Sequence, residues 1–144
     1  MFLGEYQHTL DAKGRVSLPA KFRAEMTGSL VVAKGFEECL YVFPAEEYAG
    51  FLKSVLERND FDRRFRDLRR YFTAGAVEVE LDSAGRINLP PNAREHAGLG
   101  KDVSIIGNGE RVEIWDVEKW AKYNGETAAD IENLAKELAD ASLL

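Results

Sequence analysis

Cysteine is almost missing from this chain. Cys39 stands alone among 144 residues, so no internal disulfide and no thiolate metal site can be built, and a reducing compartment is the expectation. Histidine is nearly as scarce. His8 and His96 lie in unrelated surroundings, which argues against a zinc or imidazole-based catalytic site. No apolar run approaches the length of a membrane helix, the longest lying around Leu30-Val31-Val32-Ala33. The opening "MFLGEYQHTL" lacks a basic segment and carries Glu5, so it does not read as a signal peptide. There is no phosphate-cradling glycine loop, no nucleophile–base pair and no matched pair of carboxylates. No enzyme, no cofactor and no small-molecule substrate is therefore expected. The remainder, 45% apolar and 31% charged, has the length of one compact domain or of two small halves sharing a core.

Positive charge is in deficit overall, with a net charge of −6, but the deficit is local. Residues 126 to 144 hold five acids (Glu126, Asp130, Glu132, Glu137, Asp140) against one base, Lys136. Residues 8 to 23 hold Lys13, Arg15, Lys21 and Arg23 against Asp11 alone. Net charge governs solubility, whereas a local patch decides contacts, so a polyanionic partner remains open.

What the sequence does contain is a repeat. Residues 11 to 19 read "DAKGRVSLP" and residues 82 to 90 read "DSAGRINLP". Extended to Leu10 with Leu81 and Arg23 with Arg94, seven of 14 aligned positions are identical. "YQHTL" and "VSL" read as strands around the turn "DAKG"; "AVEVEL" and "RINL" read as strands around "DSAG". The Asp side chain can accept from backbone N–H groups two residues on, and Gly14 and Gly85 can take the positive φ a tight turn needs. Proline follows each copy, at Pro19 and Pro90, so "PAKFRAEM" and "PPNAREHAGL" read as short helices with stops at Gly28 and Gly98.

The similarity continues into a second hairpin in each half, "LVVA" with "CLYVF" and "VSII" with "RVEIW", followed by helices opened by Pro44 and Asp116. Between the halves, Phe61, Phe65, Leu68 and Phe72 form one apolar helical face, and Arg63, Arg64, Arg66, Arg69 and Arg70 occupy the rest. Asp60, Asp62 and Asp67 favour a solvated face of local ion pairs there. Thr127 is expected to cap a last helix with Ile131, Leu134 and Leu138 on one stripe. Trp115 and Trp120 read as core or interface anchors. A half of this size buries too little surface to stand alone, so the two should share one core.

The pattern Asp-x-x-Gly-Arg, then apolar-x-Leu-Pro, then Arg four residues on, resembles the swapped-hairpin barrels of the AbrB and SpoVT transcription factors. Its doubling, opened by "MFLGEY" and closed by "VEIWDVEKW", is similar to the MraZ family among them, over the chain to about residue 124. The resemblance implies an α+β fold, a duplicated swapped-hairpin β-barrel with pseudo-twofold symmetry and flanking helices. Its repeats would span 5–47 and 76–119, with a connecting helical segment at 48–75 and a helical tail at 120–144. It further implies a DNA-binding transcriptional regulator, cytoplasmic and nucleoid-associated. The expected target is the promoter of the bacterial division and cell-wall gene cluster, the protein's own gene included. A ring-like homo-oligomer is part of the same implication, and an antitoxin-like protein-interaction module is the alternative.

The Asp-x-x-x-Arg motif maps onto Asp11 and Arg15, and onto Asp82 and Arg86. An arginine fork can pair bidentately with a guanine edge or grip phosphate, and a hairpin tip is narrow enough to approach the major groove. Lys13 and Lys21 suit phosphate contacts, while Asp11, Gly14, Asp82 and Gly85 shape the turns. The second copy has Ala84 and Asn92 in place of the two lysines, so Arg15 is expected to lead and Arg86 to be partly structural. Arg23 and Arg94 are expected in surface salt bridges.

Overall fold

The computed structural model describes residues 1–56 and 60–144; residues 57–59, inside the expected connecting segment, lie outside them. The first half runs β1 (Glu5–Thr9), β2 (Arg15–Ser17), α1 (Ala20–Arg23), β3 (Leu30–Lys34) and β4 (Leu40–Pro44). Helices α2 (Ala45–Leu56) and α3 (Arg63–Ala74) follow. The second half repeats the order as β5 (Val77–Val79), β6 (Arg86–Asn88), α4 (Pro91–Ala97), β7 (Asp102–Asn108) and β8 (Arg111–Asp116), then α5 (Val117–Ala128) and α6 (Ile131–Asp140).

The strands at each turn do not pair with one another. β1 pairs with β7 of the other half, β5 pairs with β3, and β2 pairs with β6. Six strands form one antiparallel sheet in the order β1-β7-β8-β4-β3-β5. Exchanging the halves maps this order onto itself, with Tyr41↔Glu113 and Val16↔Ile87 as the central pairs of the two ladders. The pairing thus follows the sequence repeat.

Those strands do not close into a barrel, which corrects that part of the expectation. β1 and β5 end the six-stranded order, and β2–β6 is a separate two-stranded ribbon. The physical reason lies in the ribbon's apolar side. Val16, Leu18, Ile87 and Leu89 are fully buried, so the ribbon caps the sheet as a lid over the central core. Burying each such side chain stabilises the fold by about 1.5–3 kcal/mol. Leu30, Val32, Leu40 and Val42 from the first half meet Val103, Ile105, Val112 and Ile114 from the second in that core. The halves share it. On the sheet's other face, Tyr41, Phe43, Tyr48, Phe72 and Trp115 form a second, aromatic cluster beneath α2 and α3, with Trp120 packed against it. Phe51 and Phe72 meet edge-on at 5.1 Å, a favoured aromatic geometry.

Helix ends differ from expectation at three places. α1 stops at Arg23, well before Gly28, because the chain turns inward to bury Met26. α3 begins only at Arg63, where the Asp62 carboxylate accepts from Arg64 N, so Phe61 falls outside the helix and is 97% exposed. Thr127 lies within α5, its hydroxyl donating to Tyr123 O at 2.8 Å, and α6 instead starts after Asp130. Gly98 ends α4 as expected, in the left-handed conformation. The arginines of α3 are held in local ion pairs, Arg64 with Asp62, Arg63 and Arg70 with Asp67, and Arg69 with Asp60.

Candidate nucleic-acid interface

Two turns at the mouths of the ribbon carry the duplicated motif, and they are built alike. In the first, Asp11 N donates to Arg15 O at 2.9 Å and Gly14 N donates to Asp11 O at 3.0 Å. One carboxylate oxygen, Asp11 Oδ1, accepts from Lys13 N and Arg15 N, both at 2.9 Å. The other, Oδ2, accepts from Arg15 Nε at 2.7 Å. In the second turn Asp82 treats Ala84 N, Arg86 N and Arg86 Nε in the same way, at 2.9, 2.9 and 2.8 Å. The Arg15 amide, then the Arg15 side chain and the Lys13 amide, hold the Asp11 carboxyl below its ordinary range, and the Arg86 amide and side chain with the Ala84 amide do the same for Asp82. Gly14 and Gly85 adopt φ of +79° and +75°, a region in which a β-carbon is strained.

Arg15 is less exposed than a turn tip suggests, since only 31% of its side chain meets solvent. The contact with Asp11 uses Nε alone. Among the described residues neither Nη group has a hydrogen-bond acceptor, so the end of the fork is left without a protein partner on a fixed stem. Arg86 differs. Its Nη1 also lies 3.8 Å from Asp11 Oδ2, so the second arginine is tethered to the first turn as well as to its own.

The two turns are joined through the backbone. Leu89 N donates to Gly14 O at 2.9 Å, and Leu18 N donates to Gly85 O at 3.1 Å. Arg23 and Arg94 form no ion pair among the described residues, which corrects their assignment to surface salt bridges. Arg23 Nη1 donates to Leu18 O at 2.8 Å and Arg94 Nε donates to Leu89 O at 3.1 Å. A methyl built on Gly14 would stand 2.8 Å from Arg94 Nε; one built on Gly85 would stand 2.7 Å from Arg23 Nη1. Each half thus lays its arginine across the other half's turn. The available signal was the identity of Arg23 and Arg94 in the repeat, which a solvent-exposed ion pair does not require.

This exchange redistributes charge. The first turn gathers Lys13, Arg15 and Arg94. Lys21 is exposed on α1, the helix whose Arg23 lies on the second turn. Burial and then the charge of Arg23 push the His8 imidazole below its ordinary range. Elsewhere, burial pushes the Cys39 thiol well above its ordinary value. Among the described residues no cluster of His, Cys, Asp and Glu has metal-binding geometry, and no helix is long and apolar enough to cross a membrane.

An internally duplicated α+β domain, whose halves exchange strands and present paired arginine turns around one ribbon, defines the class of protein. Comparison with known proteins narrows it: the chain belongs to the MraZ family. The profile described as "MraZ protein, putative antitoxin-like" matches residues 1–70 and 72–142. Among curated relatives, the transcriptional regulator MraZ of Syntrophomonas wolfei is 46% identical over 141 residues, covering 97% of this chain and 98% of its own. That of Acetivibrio thermocellus is 45% identical over 139 residues, 96% and 97% of the two chains. That of Heliobacterium modesticaldum is 46% identical over 144 residues, 99% and 100%. These are named as regulators of transcription and not as enzymes, in agreement with the expectation from the sequence.

Proposed function

We propose that this chain regulates transcription by binding double-stranded DNA in a sequence-specific manner. Arg15 and Lys13 of the first turn lead, Arg86 and Lys21 contribute less, and Asp11, Gly14, Asp82 and Gly85 shape the turns. One observation supports this reading: Arg15 is held by Nε on Asp11 while neither Nη group has a hydrogen-bond acceptor among the described residues, which leaves both available for a bidentate base contact. The working unit is a cytoplasmic, nucleoid-associated homo-oligomer, ring-like in form, built on swapped-hairpin repeats at 5–47 and 76–119. Its target is the promoter of the division and cell-wall cluster, its own gene included. A single turn makes few phosphate contacts. Several turns on one face gain avidity of about 10²–10⁴-fold, and they suit short repeated boxes about 10 bp apart.

The test is a gel shift on the DNA upstream of the protein's own gene at two salt concentrations. Binding should weaken with salt by about 0.9 in log K per log unit for each phosphate neutralised. Arg15→Ala should lose about 1–3 kcal/mol of discrimination per subunit. Unchanged binding by a natively folded Arg15→Ala would remove that residue from the reading role. Arg86→Ala should do less, because part of its fork is already tied to Asp11. A second reading, an antitoxin-like interaction module, is favoured by the exposed stripe of Ile131 and Leu134 on α6. It prevails if no upstream DNA is bound specifically.

A further inference from the structure

We infer that Arg94 is a positioning residue for the first turn, so that the second half contributes to DNA binding by fixing the aim of Arg15 across the half-to-half exchange. This rests on the reading that the first turn meets DNA.

Three contacts close a loop. Leu89 holds Gly14 O through its amide and Arg94 Nε through its carbonyl, and the Arg94 guanidinium lies against the Gly14 α-carbon. A methyl on Gly14 would stand 2.9 Å from Arg94 Cζ and 3.1 Å from Nη2, so the guanidinium fills the space that any other residue's β-carbon would take. Gly14 immediately precedes Arg15, and its φ of +79° sets the direction in which the chain leaves the turn. A guanidinium braced on that atom limits the rotation that would swing the Arg15 stem off the Asp11 carboxylate.

The mirror arrangement, Arg23 over Gly85 with Leu18 in the role of Leu89, argues that the device belongs to the architecture. The mirror is imperfect. Arg23 spends Nη1 on Leu18 O, whereas Arg94 spends only Nε on Leu89 O. Direct phosphate contact by the Arg94 guanidinium is the competing role, and the two roles part on salt dependence.

The experiment compares Arg94→Met, which keeps most of the apolar stem, with Arg94→Lys, which keeps the charge. Amide NMR of the DNA-free protein reports the turn directly. Arg94→Met should shift the Gly14 and Arg15 resonances and speed their hydrogen exchange, while Arg23→Met should move those of Gly85 and Arg86 instead. On operator DNA, Arg94→Met should lower the ratio of specific to non-specific affinity about tenfold, within the span of one lost base contact, at an unchanged salt slope. Arg94→Lys should not restore it. Unmoved Gly14 and Arg15 resonances would overturn the proposal. So would a salt slope smaller by about one with full rescue by lysine, which marks a phosphate contact. If Arg94→Met does not fold, Arg94→Gln takes its place in the same measurements. Failure of the underlying DNA reading is distinct: Arg15→Ala would then leave operator binding intact even with the turn resonances moved by Arg94→Met.

Discussion

The first and second turns are the same frame with unequal outward faces. Their internal hydrogen bonds agree to within 0.1 Å, and each is braced by an arginine from the other half. They part only in what points outward. The first carries Lys13 and leaves the Arg15 fork open; the second carries Ala84, and its Arg86 reaches back to Asp11. Duplication has kept the frame, where every hydrogen bond depends on its neighbours, and has let the outward atoms diverge. Exchange between halves also blunts the difference seen in sequence, because Lys21 travels with the helix that braces the second turn.

The frame can be broken evenly. Leu18→Ala and Leu89→Ala should each cost about 2–5 kcal/mol in chemical denaturation, since both side chains are fully buried in the shared core. Costs differing by more than the spread of such measurements would show that the two mouths of the ribbon are not equivalent. The outward difference can be narrowed instead. Ala84→Lys gives the second turn the charge of the first and should steepen the salt slope of DNA binding by about 0.9 per turn that meets phosphate. An unchanged slope would place the second turn off the DNA. The smallest effect comes with acid. The carboxyls of Asp11 and Asp82 are both held below their ordinary value, so each contributes stability that is present above that value and is lost as pH falls through the depressed one. The amides of Arg15 and Arg86 should therefore titrate together, below the usual carboxylate range, in an NMR pH series. Separate midpoints would mean that Arg86 beside Asp11 holds the first carboxylate lower.

Much of this was legible beforehand. The repeat gave both turns, and short apolar runs matched between the halves gave the hairpins β3–β4 and β7–β8, because such runs and turn chemistry are local. Strand partners are not local. Nothing in "YQHTL" or "AVEVEL" says that each pairs across the halves; only the family resemblance pointed there. The assignment of Arg23 and Arg94 went astray for the same reason, since their acceptors, Leu18 O and Leu89 O, come near only when the ribbon forms. Helix ends were misjudged where two capping residues compete. Thr127 bonds the carbonyl four residues back and leaves the next start to Asp130.

Strand exchange also sets a clock on synthesis. β1 finds its partner roughly 100 positions downstream, at the far end of the second half, which makes the fold rich in distant contacts and slow to close. The first turn leaves the ribosome long before Leu89 and Arg94 exist. At about 5–20 residues per second, the interval of about 75 residues lasts from roughly four to fifteen seconds. During that time the chain already displays its complete first motif but lacks the brace that aims it. A chain cut short between Arg15 and Leu89 carries Lys13 and Arg15 yet lacks both the Leu89 amide on Gly14 O and the Arg94 guanidinium, so its first turn is left unfinished.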